Sequence, residues 1–516
     1  MEGGFGGPLH WRSKRTIGNS RLARDQPDNM NDSASPDGVS RLDQSDIRRI
    51  IVGVMIAMFL AAIDQTIVAT ALPTIGNSLG DLEHLPWVVT AYLLSSTAIT
   101  PLYGKLADIV GRRTTMLVAI VLFLGGSVLC AVAPTMWFLI LARFIQGLGG
   151  GGVISLALTI VADIVPPRER MRYQAYFAMV FVTSSVAGPV LGGVIAQYLH
   201  WSLIFWINLP IGAIAYLMTN DILRRLPRHE RPHKLDVIGA VLMVVATVAL
   251  LLALSWGGGM YPWGSMEIVG LLVGSAVAWV LFAVRLMTAP EPFIPLPVMF
   301  DRVVATGTAT NFFAAGTMVA LSIYVPIYFE TVFGLSASQS GFALIALMGG
   351  TVAGAQIAAR IMVWTPRYKL SALIGLAVSV AATALLALVA ATAPLWGIEV
   401  LLAIAGLGMG TIFPVTTIAV QNAVEPHQQG TATASFNFFR SLGSAIAVAA
   451  FGAILLGMLG IGGGSIGSLD ALVAQATADG RPIAPVFGVL FGVSAATLAI
   501  GLLCLLAMEE RPLKAH

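Results

Sequence analysis

Charged residues are scarce in this sequence. Asp, Glu, Lys and Arg together make up 11% of its 516 residues, whereas 57% are hydrophobic. Soluble domains carry about 25% charged residues, so the composition predicts an integral membrane protein. There are only two cysteines, Cys130 and Cys504, and each lies inside an apolar run. This excludes a disulfide framework and a Cys-x-x-Cys metal site, and we expect both to pack as small apolar residues.

Motifs of several functional classes are also missing. The sequence contains no HExxH, no GxSxG and no acidic metal cluster, which argues against an intramembrane enzyme and against a cofactor. The glycine run 149–152 has no Lys-Ser/Thr after it and lies inside an apolar span, so close helix packing explains it better than nucleotide binding. The net charge of +3 gives no reason to expect a nucleic-acid partner.

The N-terminal segment 1–47 is polar and rich in Arg, Asp, Ser, Asn and Gly. It lacks the apolar core of a cleavable signal peptide, and its composition predicts a disordered cytoplasmic tail. Met30 opens the run MNDSASPDGVSRLDQSD. Residues 1–29 are therefore a candidate upstream extension, which N-terminal sequencing would test.

About fourteen apolar segments are long enough to cross a ~30 Å bilayer core. They lie at 50–72, 86–106, 114–133, 137–162, 172–197, 203–222, 236–255, 267–287, 303–328, 339–361, 370–391, 397–421, 432–459 and 485–507. An Arg/His/Pro-rich loop at 223–235 and a Pro-rich segment at 290–297 bracket the seventh and eighth spans, which indicates six helices, an inserted pair and six more. The predicted domains are an N-terminal bundle over 48–222, linkers and the inserted pair over 223–297, a C-terminal bundle over 298–508 and a cytoplasmic tail over 509–516.

The basic residues are distributed unevenly between the loops. Of the 29 Lys and Arg residues, 26 fall in the two termini and one alternate set of loops. The exceptions are Arg143 and Arg440 inside spans and Arg481 in the opposite set. Because positive loops stay in the cytoplasm, we expect both termini there. The opposite loops carry an outer aromatic belt of Trp87, Trp137, Trp201, Trp263 and Trp396.

Asp64 is a carboxylate inside the apolar run IIVGVMIAMFLAAIDQTIVATALPTI. Such a group costs at least ~2.5–3.5 kcal/mol near the bilayer centre, so it indicates a functional site. Asp64 lies roughly 21 Å from the inner end of its span, and Arg143 lies roughly 9 Å from the outer end of its own. In a ~30 Å core the two reach similar depth. We expect them to address one cavity, directly or through water; a structural ion pair is the alternative.

The segment GKLADIVGRR is the most specific local pattern. A carboxylate there can sit against the positive N-terminus of another helix and pair with Arg, which would make a latch on the cytoplasmic face. The segment resembles the signature between helices 2 and 3 of the major facilitator superfamily. The matching residues are Gly104, Leu106, Asp108, Gly111, Arg112 and Arg113. Ile109 departs from the basic residue often found there, and a plain positive-inside loop is the alternative.

Two further segments resemble the same superfamily. LARFIQGLGGGG matches its fourth helix through Arg143, Gln146 and Gly147. SSVAGPVLGG resembles the signature of its exporters, with Ser184 in place of a leading glycine. The matching residues are Gly188, Pro189, Gly192 and Gly193. The resemblance implies that these four residues let helix 5 bend as a hinge; generic packing glycines are the alternative.

The segments AIDQTIVATALPTI, HWSLIFWINLPIG and TATASFNFFRSLGSAIAVA resemble, in particular, the fourteen-helix drug:proton antiporter branch. The resemblance extends from about Arg48 to Met508. It implies an all-α major facilitator fold, in which two six-helix bundles rock around a midplane site and the inserted pair sits outside the pore. It also implies that Asp64 binds a proton or a cationic drug, while Arg143 and Gln146 shape its surroundings.

The C-terminal half has its own polar residues within spans. The candidates for the cavity are Asn311, Gln421, Asn437 and Arg440. The fold implied by the resemblance places the helix that bears Arg440 at the cavity. Snorkelling of this long side chain toward the inner leaflet is the alternative.

The resemblance implies a proton-coupled exporter of amphipathic or aromatic compounds in the inner membrane. Its expected partners are the lipid bilayer, the proton, a small amphipathic substrate and a periplasmic adaptor protein. An exporter of an endogenous metabolite, lipid or siderophore is the nearest alternative. An importer fits the helix 5 motif poorly, and a receptor or channel would need a signalling domain that the sequence does not show. Sodium in place of the proton stays open.

Overall fold

A computed structural model shows an all-helical chain. The structure describes residues 44–513 except 81–83, 86, 166, 223, 225–235, 259, 291, 293, 295, 336, 365–366 and 459–482. Within this part of the chain the only β-type pairing is an isolated bridge between Gly257 and Tyr261. The all-α class predicted from the sequence is confirmed. The predicted tail over 1–47 lies almost wholly outside the described residues.

Fourteen helices of fifteen residues or more run through the described chain. In chain order they are α1 Gln44–Leu79, α2 Trp87–Val110, α3 Arg112–Ala131, α4 Met136–Ile164, α5 Pro167–Tyr198, α6 Asn208–Ile222, α7 Val237–Trp256, α8 Met266–Thr288, α9 Arg302–Phe333, α10 Ile345–Trp364, α11 Tyr368–Val389, α12 Leu395–Ala423, α13 Gln429–Met458 and α14 Ala484–Ala507. Short helical turns connect some of them at Leu203–Trp206, Leu296–Met299, Ala337–Ala343 and Pro426–Gln428.

Twelve of the described helical segments are long and apolar enough to cross a membrane. Helices α2 and α5 are not among the twelve. Helix α2 places Ser96, Thr97 and Thr100 on the wall of a central cavity, and α5 begins with the charged run PRERMR. Side chains of this kind suit a cavity and a loop boundary but lower the apolar character of a span. The number of fourteen spans therefore stays a prediction.

The helices on either side of α7 and α8 pack as two groups of six. In the first group α1 packs on α5 and α6, and α4 packs on both α2 and α3. In the second group α12 packs on α10 and α11, and α9 on α13 and α14. Each group has its own apolar core, with Leu139 and Phe205 buried in the first and Leu402 and Phe487 in the second. The domain boundaries given above stay predictions.

Helices α7 and α8 pack on each other and lie beside both groups. Helix α7 contacts α2 and α13. Trp256 near its end meets Trp87 of α2 edge to face, with ring centroids 5.3 Å apart. Trp279 of α8 lies 6.2 Å from the ring of Phe438 on α13. Most of α8 is exposed, as expected of a helix that faces lipid.

The two groups touch each other through α2 and α4 with α13, and through α5 with α10 and α12. The contact between α2 and α13 is very close at Gly104. A Cβ atom added to Gly104 would lie 2.3 Å from the Cβ of Ala434 and 2.5 Å from the carbonyl oxygen of Gly430. Only glycine fits there, because real Cβ contacts are longer. Away from this end of α2, the groups separate around a cavity.

Candidate substrate cavity and buried polar centre

A buried polar cluster lies inside the first group of helices. Asp64 comes from α1, whereas Arg143 and Gln146 stand one turn apart on α4. Arg143 Nη1 donates to Asp64 Oδ2 at 2.5 Å and to Gln146 Oε1 at 2.6 Å. Gln146 Nε2 donates to Asp64 Oδ1 at 2.9 Å. The three residues singled out in the sequence therefore form one network, in which Asp64 is 0% and Arg143 1% exposed.

The Arg143 side chain makes two further contacts. Its Nε donates to the carbonyl oxygen of Val88 at 3.1 Å. Its guanidinium carbon lies 4.3 Å from the ring centroid of Tyr92, within the range of a cation–π contact. A buried ion pair is tolerated only when the remaining donors and acceptors find partners. Removing one member of such a pair costs about 3–5 kcal/mol, because the other charge stays buried and uncompensated.

Two members of the network were not predicted from the sequence. Asn208, the first residue of α6, donates through Nδ2 to Asp64 Oδ1 at 2.9 Å and to Ser127 Oγ at 3.2 Å. Ser127 of α3 also accepts from Gln146 Nε2 at 2.8 Å. The only local signal was a polar residue within the apolar segment FWINLPIG. Residues from four helices, α1, α3, α4 and α6, thus form one hydrogen-bond network around the Asp64 carboxylate.

A cavity of about 1050 Å³ lies between the two groups of helices. Along α13 it extends from Phe436 to Gly457, which is about 30 Å at 1.5 Å per residue. Its volume is at the upper end of the roughly 300–1,000 Å³ that ligand pockets occupy. Aromatic and methionine side chains on its wall are Met58, Phe177, Phe181, Trp263, Met318, Tyr324, Met348, Phe413 and Phe436. Such a wall suits a large apolar solute.

The buried cluster does not line this cavity, contrary to the expectation that Asp64 and Arg143 address it. On α1 the wall is formed by Met58 and Gln65, and on α4 by residues that follow Gln146 along the helix. Counting residues fixes the height of a side chain along its helix but not the side to which it points. The Asp64 carboxylate is turned into the first bundle instead.

The inserted pair also departs from the expectation that it sits outside the pore. Leu251 and Leu254 of α7 line the cavity, and so does Trp263 in the connection to α8. Helix α7 lies against both α2 and α13. It therefore forms part of the wall where the two groups diverge. No described residue of α8 lines the cavity.

Polar residues of the second group line the same cavity. Asn437 and Arg440 are three residues apart on α13 and share one face. Helix α9 approaches α13 closely, since a Cβ on Gly443 would lie 2.5 Å from the carbonyl oxygen of Phe312. This approach brings the cavity-lining Asn311 beside the same stretch of α13. Three of the four predicted cavity residues thus reach the cavity wall.

The fourth candidate, Gln421, is not part of that wall. Its Nε2 donates to Thr433 Oγ1 at 3.3 Å and to the carbonyl oxygen of Leu158 at 3.5 Å. Leu158 belongs to α4 in the first group, so Gln421 is placed where the two groups meet. Its contacts suit a role in holding the groups together.

The latch residues lie between the two groups. Asp108 near the end of α2 accepts hydrogen bonds from the backbone nitrogen of Thr431 at 2.8 Å and from its Oγ1 at 2.6 Å. Thr431 lies in the first turn of α13, where backbone N–H groups lack helical partners and favour an anion. Arg112 bridges Asp108 at 2.5 Å and Asp163 of α4 at 2.8 Å. Thr431 and Asp163 were not predicted.

Two residues of that motif, Gly111 and Arg113, stay within the first group. Arg113 Nη2 donates to Asn220 Oδ1 at 2.6 Å, which ties α3 to α6. Gly111 separates α2 from α3 with a φ of 98°, a conformation that residues with a Cβ rarely adopt. The motif therefore combines contacts across the groups, at Gly104 and Asp108, with a tight turn and an internal brace.

The four predicted hinge residues lie within α5, which is helical from Pro167 to Tyr198. A Cβ on Gly188 would lie 2.0 Å from Thr66 Oγ1, and that hydroxyl donates to the carbonyl oxygen of Ser184 at 2.9 Å. Gly192 is buried, whereas a Cβ on Gly193 would meet no atom within 4 Å. The side chain of Pro189 lies outside the described part of the structure. Close packing of α5 on α1 is thus evident at Gly188, and bending stays a prediction.

The chain is similar to known transporters over most of its length. The sequence model of the Major Facilitator Superfamily matches residues 54–448. Multidrug resistance protein 3 of Bacillus subtilis (strain 168) is 35% identical over 411 residues, 80% of each chain. Multidrug transporter protein MdtP of the same organism is 34% identical over 438 residues, 84% of this chain and 80% of that protein.

A solved structure shares the fold. The crystal structure of a bacterial homologue of the iron transporter ferroportin in an outward-facing state superposes with a TM-score of 0.61. The alignment covers 90% of this chain and 100% of the other, with 10% sequence identity. At so low an identity the likeness concerns the fold alone.

Proposed function

The chain belongs to the major facilitator superfamily, and we propose that it exports amphipathic or aromatic drug-like compounds in exchange for protons. As a member of this superfamily it is a transporter and not an enzyme. The names of two relatives, a multidrug resistance protein and a multidrug transporter protein, support drug-like compounds as the substrates. The observation that carries the proposal is the cavity of about 1050 Å³ with aromatic walls between two helix groups.

Transport by alternating access requires a contact that closes one end of the cavity and can break. The hydrogen bonds from Thr431 to Asp108 supply such a contact between α2 and α13. Two hydrogen bonds to a charged acceptor stabilise the closed end by a few kcal/mol, at about 1.5–3 kcal/mol each, which thermal motion and substrate binding can overcome. We assign this state as closed toward the cytoplasm, since the positive loops lie at that end.

Asp64 is the carboxylate that we assign to proton coupling. It lies fifteen residues before the end of α1, whereas every other carboxylate on a described helix lies within about a turn of a helix end. Protonation of Asp64 would remove the charge that holds Arg143, Gln146 and Asn208 together. The cluster joins α1, α3, α4 and α6, so the loss of this charge would loosen the first group as a unit. Proton uptake is thereby linked to a change in helix packing.

Dye transport into everted membrane vesicles tests this assignment. We expect the wild type to accumulate aromatic dyes when a proton gradient is imposed and to lose this activity with an uncoupler. The variant Asp64→Asn keeps the volume and one acceptor oxygen but cannot carry the charge. It should lose gradient-driven accumulation and keep dye exchange at equilibrium, because exchange moves no net protons.

The matched control is Asp221→Asn, which removes an exposed carboxylate at the end of α6 and should leave transport unchanged. Gradient-driven accumulation by Asp64→Asn at the wild-type rate would refute Asp64 as the coupling group. A wild type that accumulates no dye under a proton or sodium gradient would refute the exporter itself. Residence in the inner membrane, cytoplasmic termini and a periplasmic adaptor remain part of the proposal.

A further inference from the structure

The described part of the cavity wall carries positive charge and no negative charge. Among the described residues that line it, Arg440 is the only Asp, Glu, Lys or Arg, and histidine is absent from that set as well. The nearest deep carboxylate, Asp64, is fully buried and already held by Arg143, Gln146 and Asn208. A cationic solute in this cavity would therefore find a positive group and no negative one on the described wall.

Arg440 is a cation without a protein partner. Its guanidinium makes no hydrogen bond or ion pair with any residue that the structure describes. A half-buried guanidinium with five unused donors in a cavity of low polarity gains greatly from an anion, and a carboxylate or sulfonate can bind it through two parallel hydrogen bonds. Arg143, which is 1% exposed, shows what such a group does when a carboxylate is available.

Two amide side chains complete the site. Asn311 and Asn437 are 1% and 3% exposed, and neither their nitrogen nor their oxygen atoms have a hydrogen-bond partner among the described protein groups. Both residues line the same cavity as Arg440, and Asn437 lies one turn from it on α13. Unpaired buried amides are rare in proteins, and here they share a cavity with an unpaired cation. Their N–H groups can donate to the anion that Arg440 attracts.

The site lies near one end of a long apolar cavity. Arg440 is one turn from Phe436, where the wall along α13 begins, and the wall continues for about 25 Å beyond it to Gly457. Phe413 and Phe436 border the polar end, while Met318 and Met348 contribute apolar wall from α9 and α10. An anionic head at Arg440 would leave the apolar body of the solute in contact with this surface.

We propose that the cavity selects amphipathic organic anions, whose acidic group binds Arg440 with help from Asn311 and Asn437. This inference rests on the proposed export function and specifies its substrate class. The carboxylate-bearing cluster of Asp64 and the cation-bearing cluster of Arg440 then have different ligands. The proton belongs to the first cluster and the exported anion to the second.

Two dyes that share the xanthene ring provide the test. Fluorescein is anionic at neutral pH and rhodamine 123 is cationic, so charge is the main difference between them. The full-length protein is reconstituted in proteoliposomes, and the uptake of each dye is measured at concentrations below saturation. We expect the wild type to move fluorescein faster than rhodamine 123.

Replacement of Arg440 by glutamine should change the uptake rates of the two dyes differently. Arg440→Gln should lower the fluorescein rate by about tenfold or more, since a charge-assisted bidentate contact is lost, without lowering the rhodamine 123 rate. The fluorescein rate of Arg440→Lys should lie between those of the wild type and Arg440→Gln, because lysine keeps the charge and loses the bidentate geometry. Arg367→Gln, which removes an exposed charge before α11, should behave as the wild type.

The outcomes distinguish this inference from the export function. A wild type that prefers rhodamine 123, or an Arg440→Gln protein that slows both dyes equally, would overturn the anion site and leave the exporter standing. A wild type that moves neither dye would overturn both. If Arg440→Gln fails to reach the membrane, the ratio of the two dye rates in Arg440→Lys and Asn437→Leu decides the question, since misfolding lowers both rates and leaves the ratio unchanged.

Discussion

Each helix group contains one arginine far from the ends of a helix that is long and apolar enough to cross a membrane, and the surroundings of the two arginines are opposite. Arg143 in the first group is enclosed, with Asp64, Gln146 and the Val88 carbonyl as hydrogen-bond acceptors. Arg440 in the second group lines the cavity and has no partner among the described residues. A buried arginine in a transmembrane sequence therefore has no single meaning. The presence of a partner separates a group that holds the protein together from one that is free to bind a solute.

The largest expected effect comes from replacing Arg143 by methionine, which keeps an unbranched apolar chain, is shorter than arginine and carries no charge; Arg440→Met is the comparison. Arg143→Met leaves the Asp64 carboxylate buried without its partner, and should cost about 3–5 kcal/mol of stability. Arg440→Met removes an unpaired cation and should cost little or nothing. The melting temperatures of the two purified variants give the answer. Equal destabilisation by both variants would contradict the difference between the paired Arg143 and the unpaired Arg440.

The double variant Asp64→Asn/Arg143→Met sharpens the same contrast. With both charges absent, no uncompensated charge stays buried, so the double variant should be more stable than Arg143→Met alone. An additive loss of stability would show that charge pairing is not the reason why substitution of Asp64 or Arg143 destabilises the protein.

The next effect concerns the contact that joins the two groups. Asp108→Ala removes the acceptor for Thr431 and the partner of Arg112, so it should cut the turnover of dye transport by about tenfold or more. Dye affinity should stay nearly unchanged, since Asp108 does not line the cavity. Thr431→Val loses one of the two hydrogen bonds and should have a smaller effect. A large loss of affinity in Asp108→Ala would place this residue in binding and not in closure.

The smallest effect concerns the packing of α5 on α1, close to the Asp64–Arg143 pair. Gly188→Ala would bring a Cβ to 2.0 Å from Thr66 Oγ1, and overpacking of this kind costs about 1–3 kcal/mol. Gly193→Ala meets open space and should be neutral or slightly stabilising, since alanine favours helix. Thermal unfolding of the two variants compares them. Equal tolerance at both sites would mean that α5 is held less tightly on α1 than the structure indicates.

Local sequence patterns predicted the helices and part of the sites. Apolar runs gave an all-helical chain, and counting residues brought Asp64 and Arg143 to a similar depth, where the structure shows them in contact. The spacing within GKLADIVGRR pointed to a carboxylate at a helix N-terminus, and Asp108 accepts from the first turn of α13. These features depend on height along a helix or on short motifs, and both can be read from one sequence.

Features that depend on the rotation of a helix could not be read in this way. Asp64 and Gln65 are neighbours in sequence, yet only Gln65 lines the cavity. Asn208 joins the Asp64 network from another helix, 144 residues away, and no local signal selects it as a partner. The contribution of Leu251 to the wall follows from how α7 lies against α2 and α13. Such arrangements arise from packing between distant segments.

We assign proton coupling to Asp64 and anion binding to Arg440. Fluorescein transport in proteoliposomes, measured both under a pH gradient and as exchange without one, tests this division most directly. For Asp64→Asn we predict loss of gradient-driven transport and retention of exchange, since the anion site is intact. For Arg440→Gln we predict loss of both, because the dye is no longer bound. Retention of exchange by Arg440→Gln, or its loss in Asp64→Asn with the protein still folded in the membrane, would contradict this division.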